Sequence, residues 1–167
     1  AGCCGAVEYH LSDTERARQR MRRNIDAWWP AIEAGAEAVV ISASGCGTMV
    51  KEYAEALHDD PEYKEKALRV SQLARDLSEV VAGEDLRGLR LKKTDVATAV
   101  HCPCSLQHGQ QLPDILEQVL LKAGIPLTET KDKHLCCGSA GTYSLLQPEL
   151  SQQLLAKKVT ALTSDAP

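Results

Sequence analysis

Residues 37–50 read EAVVISASGCGTMV. Glu37 to Ser42 has the character of a short buried strand, with β-branched Val39, Val40 and Ile41 at its centre. Ser44-Gly45-Cys46-Gly47 follows at once, and then a helical run carries Met49, Val50, Tyr53 and Leu57. A cysteine is therefore placed where a strand ends and a helix begins. The same order recurs at 96–107, VATAVHCPCSLQ, where a strand over Val96 to Val100 runs into His101-Cys102-Pro103-Cys104. Strands alternating with helices predict an α/β fold with parallel pairing. Open α/β sheets hold their ligands at this end of the strands.

Working outward, Ser12-Asp13-Thr14-Glu15 reads as a capping box that opens a helix. Ala17, Met21, Ile25, Trp28 and Ile32 share one face of it, Pro30 should kink or restart it, and Gly35 ends it. A further helix is expected from Pro61 to Gly83, with Ala67, Val70, Ala74, Leu77 and Val81 inward. Residues 83–94 are polar and read as the connection between two halves. After them a helix from about Pro113 turns Ile115, Leu116, Val119, Leu120 and Ala123 inward and stops at Gly124. Ile125 to Thr128 reads as a third strand. Pro148 starts a last helix with Leu150, Leu154, Leu155, Val159 and Leu162 on its apolar face.

The chain has 167 residues, a net charge of −4 and a pI near 5.7. No dense Lys/Arg patch suggests nucleic-acid binding. The longest unbroken apolar stretch, Ala38 to Ile41, is far below the roughly 20 residues of a membrane helix. No signal-peptide pattern is visible, so a reducing, cytoplasmic setting is expected. Aromatic residues are sparse and Phe is absent, so Val, Ile, Leu and Ala must build the core.

Seven cysteines stand out, an odd number that cannot all pair within one chain. Cys-Cys-Gly occurs at 3–5 and again at 136–138. Six cysteines fall into two sets in this register. Cys3, Cys4 and Cys46 form the first, Cys104, Cys136 and Cys137 the second, and Cys102 lies beside the second. The expected organisation is two pseudo-repeated cysteine-rich units with short parallel strands and flanking helices, over 1–92 and 93–167. The first would be incomplete at its start and the second at its end.

Thiolates are soft ligands that select iron–sulfur clusters, Zn or Cu(I). Adjacent cysteines suit different irons of one cluster better than one tetrahedral Zn. Gly5 and Gly138 allow tight turns and backbone N–H groups near sulfur, and helix N-termini after Cys46 and Cys104 favour an anionic group. Other readings remain open: zinc sites, strained vicinal disulfides, or cysteines that are small buried hydrophobes. His101 and His134 precede cysteines and are accessory ligand candidates, and His108 is placed to reach back toward Cys104. His10 and His58 read as surface residues. No Ser-His-Asp order, P-loop or dinucleotide fingerprint is present, and no residue is assigned acid–base catalysis.

These segments resemble the cysteine-rich domain family known by its Cys-Cys-Gly units. The likeness is chiefly to its members in the iron–sulfur subunits of glycolate oxidases. It rests on 2–7, 24–36, 43–47, 101–108 and 134–143, and covers essentially the whole chain. The resemblance implies an electron-transfer subunit with [4Fe-4S]-type iron–sulfur clusters, bound by Cys3, Cys4, Cys46, Cys104, Cys136 and Cys137. It implies a flavoprotein partner that oxidises glycolate or a related 2-hydroxy acid, and onward transfer to quinone at the inner face of the cytoplasmic membrane. Where the fullest family motif ends Cys-x-x-Cys, this chain has Cys46-x-x-Met49. A heterodisulfide-reductase-like thiol protein and a zinc-stabilised interaction domain are the alternatives.

Overall fold

A computed structural model describes residues 1–92 and 94–164, and the chain divides into two units, Ala1–Val80 and Val81–Pro167. The boundary expected between residues 92 and 93 abuts Lys93, which lies outside the described residues.

In the first unit a short helix α1 (Ala6–His10) leads into α2 (Thr14–Glu33). The cap of α2 falls one residue later than the Ser12 pattern suggests. The Asp13 carboxylate accepts the Arg16 N–H at 3.4 Å, and Ser12 turns the chain with φ +67°. Pro30 lies inside α2, which continues unbroken to Glu33. Gly35 closes it in the left-handed region at φ +97°; its N–H bonds to Ile32 O, and Ala36 N–H bonds to Ala31 O. Ala17, Met21 and Ile25 are fully buried as their spacing predicts, and Trp28 and Ile32 pack against them. Met49 and Val50 of α3 (Ser44–Lys51), Tyr53 and Ala56 of α4 (Tyr53–Ala56), and Leu57 complete the facing side.

The helix expected over 61–83 is two helices with a strand between them. Helix α5 (Lys64–Leu73) ends, Ala74–Asp76 extends as β2, and α6 (Leu77–Gly83) follows. Strand β2 pairs in parallel with β1 (Val39–Ile41) in the register Val39↔Ala74, Val40↔Arg75 and Ile41↔Asp76. The backbone groups of β1 need a partner, and this demand outweighs the local helical preference of Ala-Arg-Asp. Asp76 turns the chain back into helix. Its carboxylate accepts from Ser78 N–H at 2.9 Å and from the Ser78 hydroxyl at 2.6 Å, while Glu79 accepts the Asp76 N–H at 2.8 Å. Ala74 remains buried, but Leu77 is exposed.

In the second unit the strands expected at 96–100 and 125–128 meet as a single parallel bridge, Thr98↔Leu127. Thr98 N–H donates to Pro126 O at 2.9 Å, and Thr128 N–H donates to Thr98 O at 3.1 Å. Val96, expected in the strand, is 72% exposed, and Pro126 has no N–H to extend the ladder. A turn of π-helix (Ser105–Gly109) follows the Cys102–Cys104 segment, with Leu106 buried beneath it. Helix α7 (Ile115–Lys122) half-buries the expected face, and Gly124 at φ +79° follows it.

Helix α8 (Tyr143–Leu146) precedes α9 (Pro148–Thr163). The inward face of α9 differs from the leucine stripe. Ser151, Lys158 and Ala161 are buried, whereas Leu150, Leu155 and Val159 are exposed. Polar tethers set this rotation. The Ser151 hydroxyl donates to Gly138 O at 2.9 Å, and Lys158 Nζ donates to Lys133 O at 2.8 Å. Among the described residues no helix is long and apolar enough to cross a membrane.

Candidate functional site

The first cysteine set is built on the chain entering α1. Gly5 takes φ +89°, and a Cβ there would stand 3.1 Å from the Ala17 carbonyl oxygen of α2. The turn therefore seats Cys3-Cys4 against α2 in a way that only glycine permits without strain. Cys4 is buried, Cys3 is exposed, and Cys46, in the first turn of α3, is half-buried against the same core.

Burial pushes the Cys4 thiol up to about 11, and a hydrogen bond with Cys46 and the nearby charges of Cys46 and Cys3 act in the same direction. The phenol of Tyr53 is also raised by burial and then by Cys4, Cys3 and Cys46, despite a hydrogen bond from Asn24 that opposes the shift. Tyr53 is fully buried behind the pair. Its hydroxyl donates to Cys4 O at 2.8 Å and accepts from Asn24 Nδ2 at 3.1 Å. Asn24 Nδ2 also donates to Cys3 O at 3.0 Å, and Asn24 Oδ1 accepts Gly2 N–H at 2.7 Å. Trp28 stacks on Tyr53, with centroids 6.4 Å apart and the rings 19° from parallel. Outside the pair, a hollow of about 220 Å³ is lined by Gly2, Cys3, Arg20, Arg23 and Asn24, so cationic side chains border the exposed thiol.

Asn24 and Tyr53 were not among the sequence candidates. Tyr53 reads only as an inward position of a helical run. Asn24 interrupts the apolar face of α2 between Met21 and Ile25, and that polar interruption was the available signal.

The second set repeats the glycine geometry. Gly138 takes φ +78°, and a Cβ there would fall 2.4 Å from the Ser151 carbonyl oxygen of α9. Gly138 N–H points at Cys136 Sγ at 3.4 Å, the N–H-to-sulfur contact that the Cys-Cys-Gly turn was expected to supply. Cys136 and Cys104 are exposed and Cys137 is half-buried, and among the described residues no hydrogen bond joins Cys104 to the pair. The Cys102 thiol is directed to Leu112 O at 3.8 Å. His134 and His108 are exposed. The His101 ring is partly buried, its Nδ1 lacks a hydrogen-bond partner, and burial and then the charge of Lys158 lower its pKa.

Among the described residues no three His, Cys, Asp or Glu side chains are arranged to hold a single metal ion. The donors present are soft thiolates, whose chemistry fits an iron–sulfur cluster. Cys4 and Cys46 adjoin in a low-dielectric setting, and a backbone N–H is directed at Cys136 sulfur. Met49, at the position where the fullest motif has a further cysteine, is a buried core residue of the first unit.

Two glycine-cornered cysteine pairs, each backed by the second helix after it, α2 and α9, define a protein with paired cysteine-rich turns. The chain belongs to the cysteine-rich domain family, whose model matches residues 1–51 and 98–167. It is 54% identical over its whole length to the glycolate oxidase iron–sulfur subunit of Escherichia coli (strain K12), of which it spans 41%. It is 31% identical over 163 residues to a probable glycolate oxidase iron–sulfur subunit of Bacillus subtilis (strain 168), covering 96% of this chain and 36% of that one. It is 30% identical over 164 residues to lactate utilization protein A of Bacillus velezensis, covering 96% of this chain and 66% of that protein. The chain thus spans well under half the length of the two glycolate oxidase relatives.

Proposed function

We propose that this chain is the cysteine-rich part of an iron–sulfur electron-transfer subunit serving a 2-hydroxy-acid oxidase, with glycolate the leading substrate of the whole complex. The observation that carries the reading is the Cys3-Cys4 pair held at its two carbonyls by Asn24 and Tyr53, with Cys46 packed against the same core, in a chain of this family. Cys3, Cys4 and Cys46 would hold one cluster, and Cys104, Cys136 and Cys137 a second. Cys102, His101 and His134 are accessory positions.

The two units are read as a pseudo-repeat, with the boundary near residue 92. The matched glycine corners support this. So do Asn24 and Lys158, buried polar residues 19 and 20 positions after Gly5 and Gly138, each tying a loop carbonyl. When bound, an iron–sulfur cluster accepts and releases single electrons, and [4Fe-4S] is the type proposed. The chain's own residues position sulfur, exclude water around Cys4, and direct N–H groups at the ligands. Hydroxy-acid oxidation itself would belong to a flavoprotein partner, with quinone as the eventual acceptor at the membrane surface.

The test is iron content after single substitutions. Cys4→Ser and Cys137→Ser are each expected to lose the iron of their own unit. Full iron retention in both variants would reject the reading.

A further inference from the structure

We propose that Tyr53 is the positioning residue of the first cysteine set. Acting with Asn24, its hydroxyl holds the Cys3-Cys4 peptides and thereby sets the reduction potential of the cluster bound there. The inference rests on the cluster reading above. Its basis is a fully satisfied polar network in an otherwise apolar core. Tyr53 and Asn24 are 0% and 1% exposed and come from different helices. Between them they hold two consecutive carbonyls, Cys3 O at 3.0 Å and Cys4 O at 2.8 Å.

A phenylalanine at position 53 would fill the same space and keep the stack on Trp28. What the hydroxyl adds is directed at the cysteine pair. Buried polar groups are costly unless paired, so the network is held together as a unit. A donor on a ligand's carbonyl withdraws negative charge from beside the sulfur and favours the reduced, more anionic cluster. Tyr53→Phe removes that donor and leaves the Cys4 carbonyl unpaired.

The experiment uses the protein purified without oxygen, with the midpoint potential followed by electron paramagnetic resonance and iron and stability measured in parallel. Tyr53→Phe is expected to retain iron and to shift the first cluster to a more negative potential with an altered spectrum. Asn24→Ala, which removes the donor to Cys3 O, should shift it in the same direction and serves if Tyr53→Phe does not fold. Trp28→Phe disturbs the packing without touching the hydrogen bonds and should leave the potential in place. Unchanged potential and spectrum in both the Tyr53 and Asn24 variants would overturn the inference, as would an equal shift in Trp28→Phe. Failure of the cluster reading is separately visible, as a parent protein without iron or as iron fully retained in Cys4→Ser.

Discussion

Gly138 is the most sharply constrained residue of either cysteine turn. Its left-handed backbone and the 2.4 Å that would separate a Cβ from Ser151 O leave no room for a side chain, since the opposing atom is backbone. Gly138→Ala should destabilise the protein by more than about 1 kcal/mol in chemical denaturation. Gly5→Ala should cost less, because its closest atom is 3.1 Å away, and Gly83→Ala, with no atom within 4 Å, should be close to neutral. Equal effects at the three positions would contradict this account. The two Cys-Cys-Gly turns were legible as repeated words in the sequence. The polar clamp behind the first was not, because helical spacing marks Tyr53 as inward without saying what its hydroxyl meets. Cys102 was legible as different from its neighbours, having no counterpart in the first half, and its thiol faces Leu112 O.

Among the elements, β1 was readable from Val39-Val40-Ile41, but its partner was not. Ala74-Arg75-Asp76 has no strand composition and extends only because β1 lies beside it. A local signal did exist: Asp76-Leu77-Ser78-Glu79 is a capping pattern that restarts a helix there, and the structure forms it. The stripe of α9 misled for a related reason, since tethers at Ser151 and Lys158 decide which face turns inward. Asp60 ties elements together in the first unit. It accepts Arg22 Nε at 2.8 Å and the N–H groups of Glu62 and Tyr63 at 3.1 Å each, ahead of α5. Burial pushes its carboxyl up, but Arg22 and the two N–H groups outweigh this and hold it below the ordinary value. A carboxylate depressed in the folded state adds stability above its ordinary pKa, and that stability is lost as pH falls through the lowered value. Asp60→Asn keeps an acceptor for the N–H groups but loses the charge. It should lower stability by about 1 kcal/mol near neutral pH and flatten the acid limb of the stability profile. An acid limb identical to that of the parent protein would show that Asp60 does not contribute to it.

At the scale of the molecule, each unit sets a cysteine pair at a glycine corner backed by a helix, with a third cysteine beside the start of a helical turn. The α/β class and the parallel sense of pairing were both legible, although the sheet is smaller than the strand patterns suggested. The family was legible too, because the Cys-Cys-Gly words at 3–5 and 136–138 stand out in the sequence and lie within the segments that match its model. Soft, adjacent donors with an N–H directed at sulfur suit a cluster. The measurement that tests this most directly is iron and acid-labile sulfide per chain in protein purified without oxygen. The account expects iron with matching sulfide. Zinc, or iron without sulfide, would contradict it.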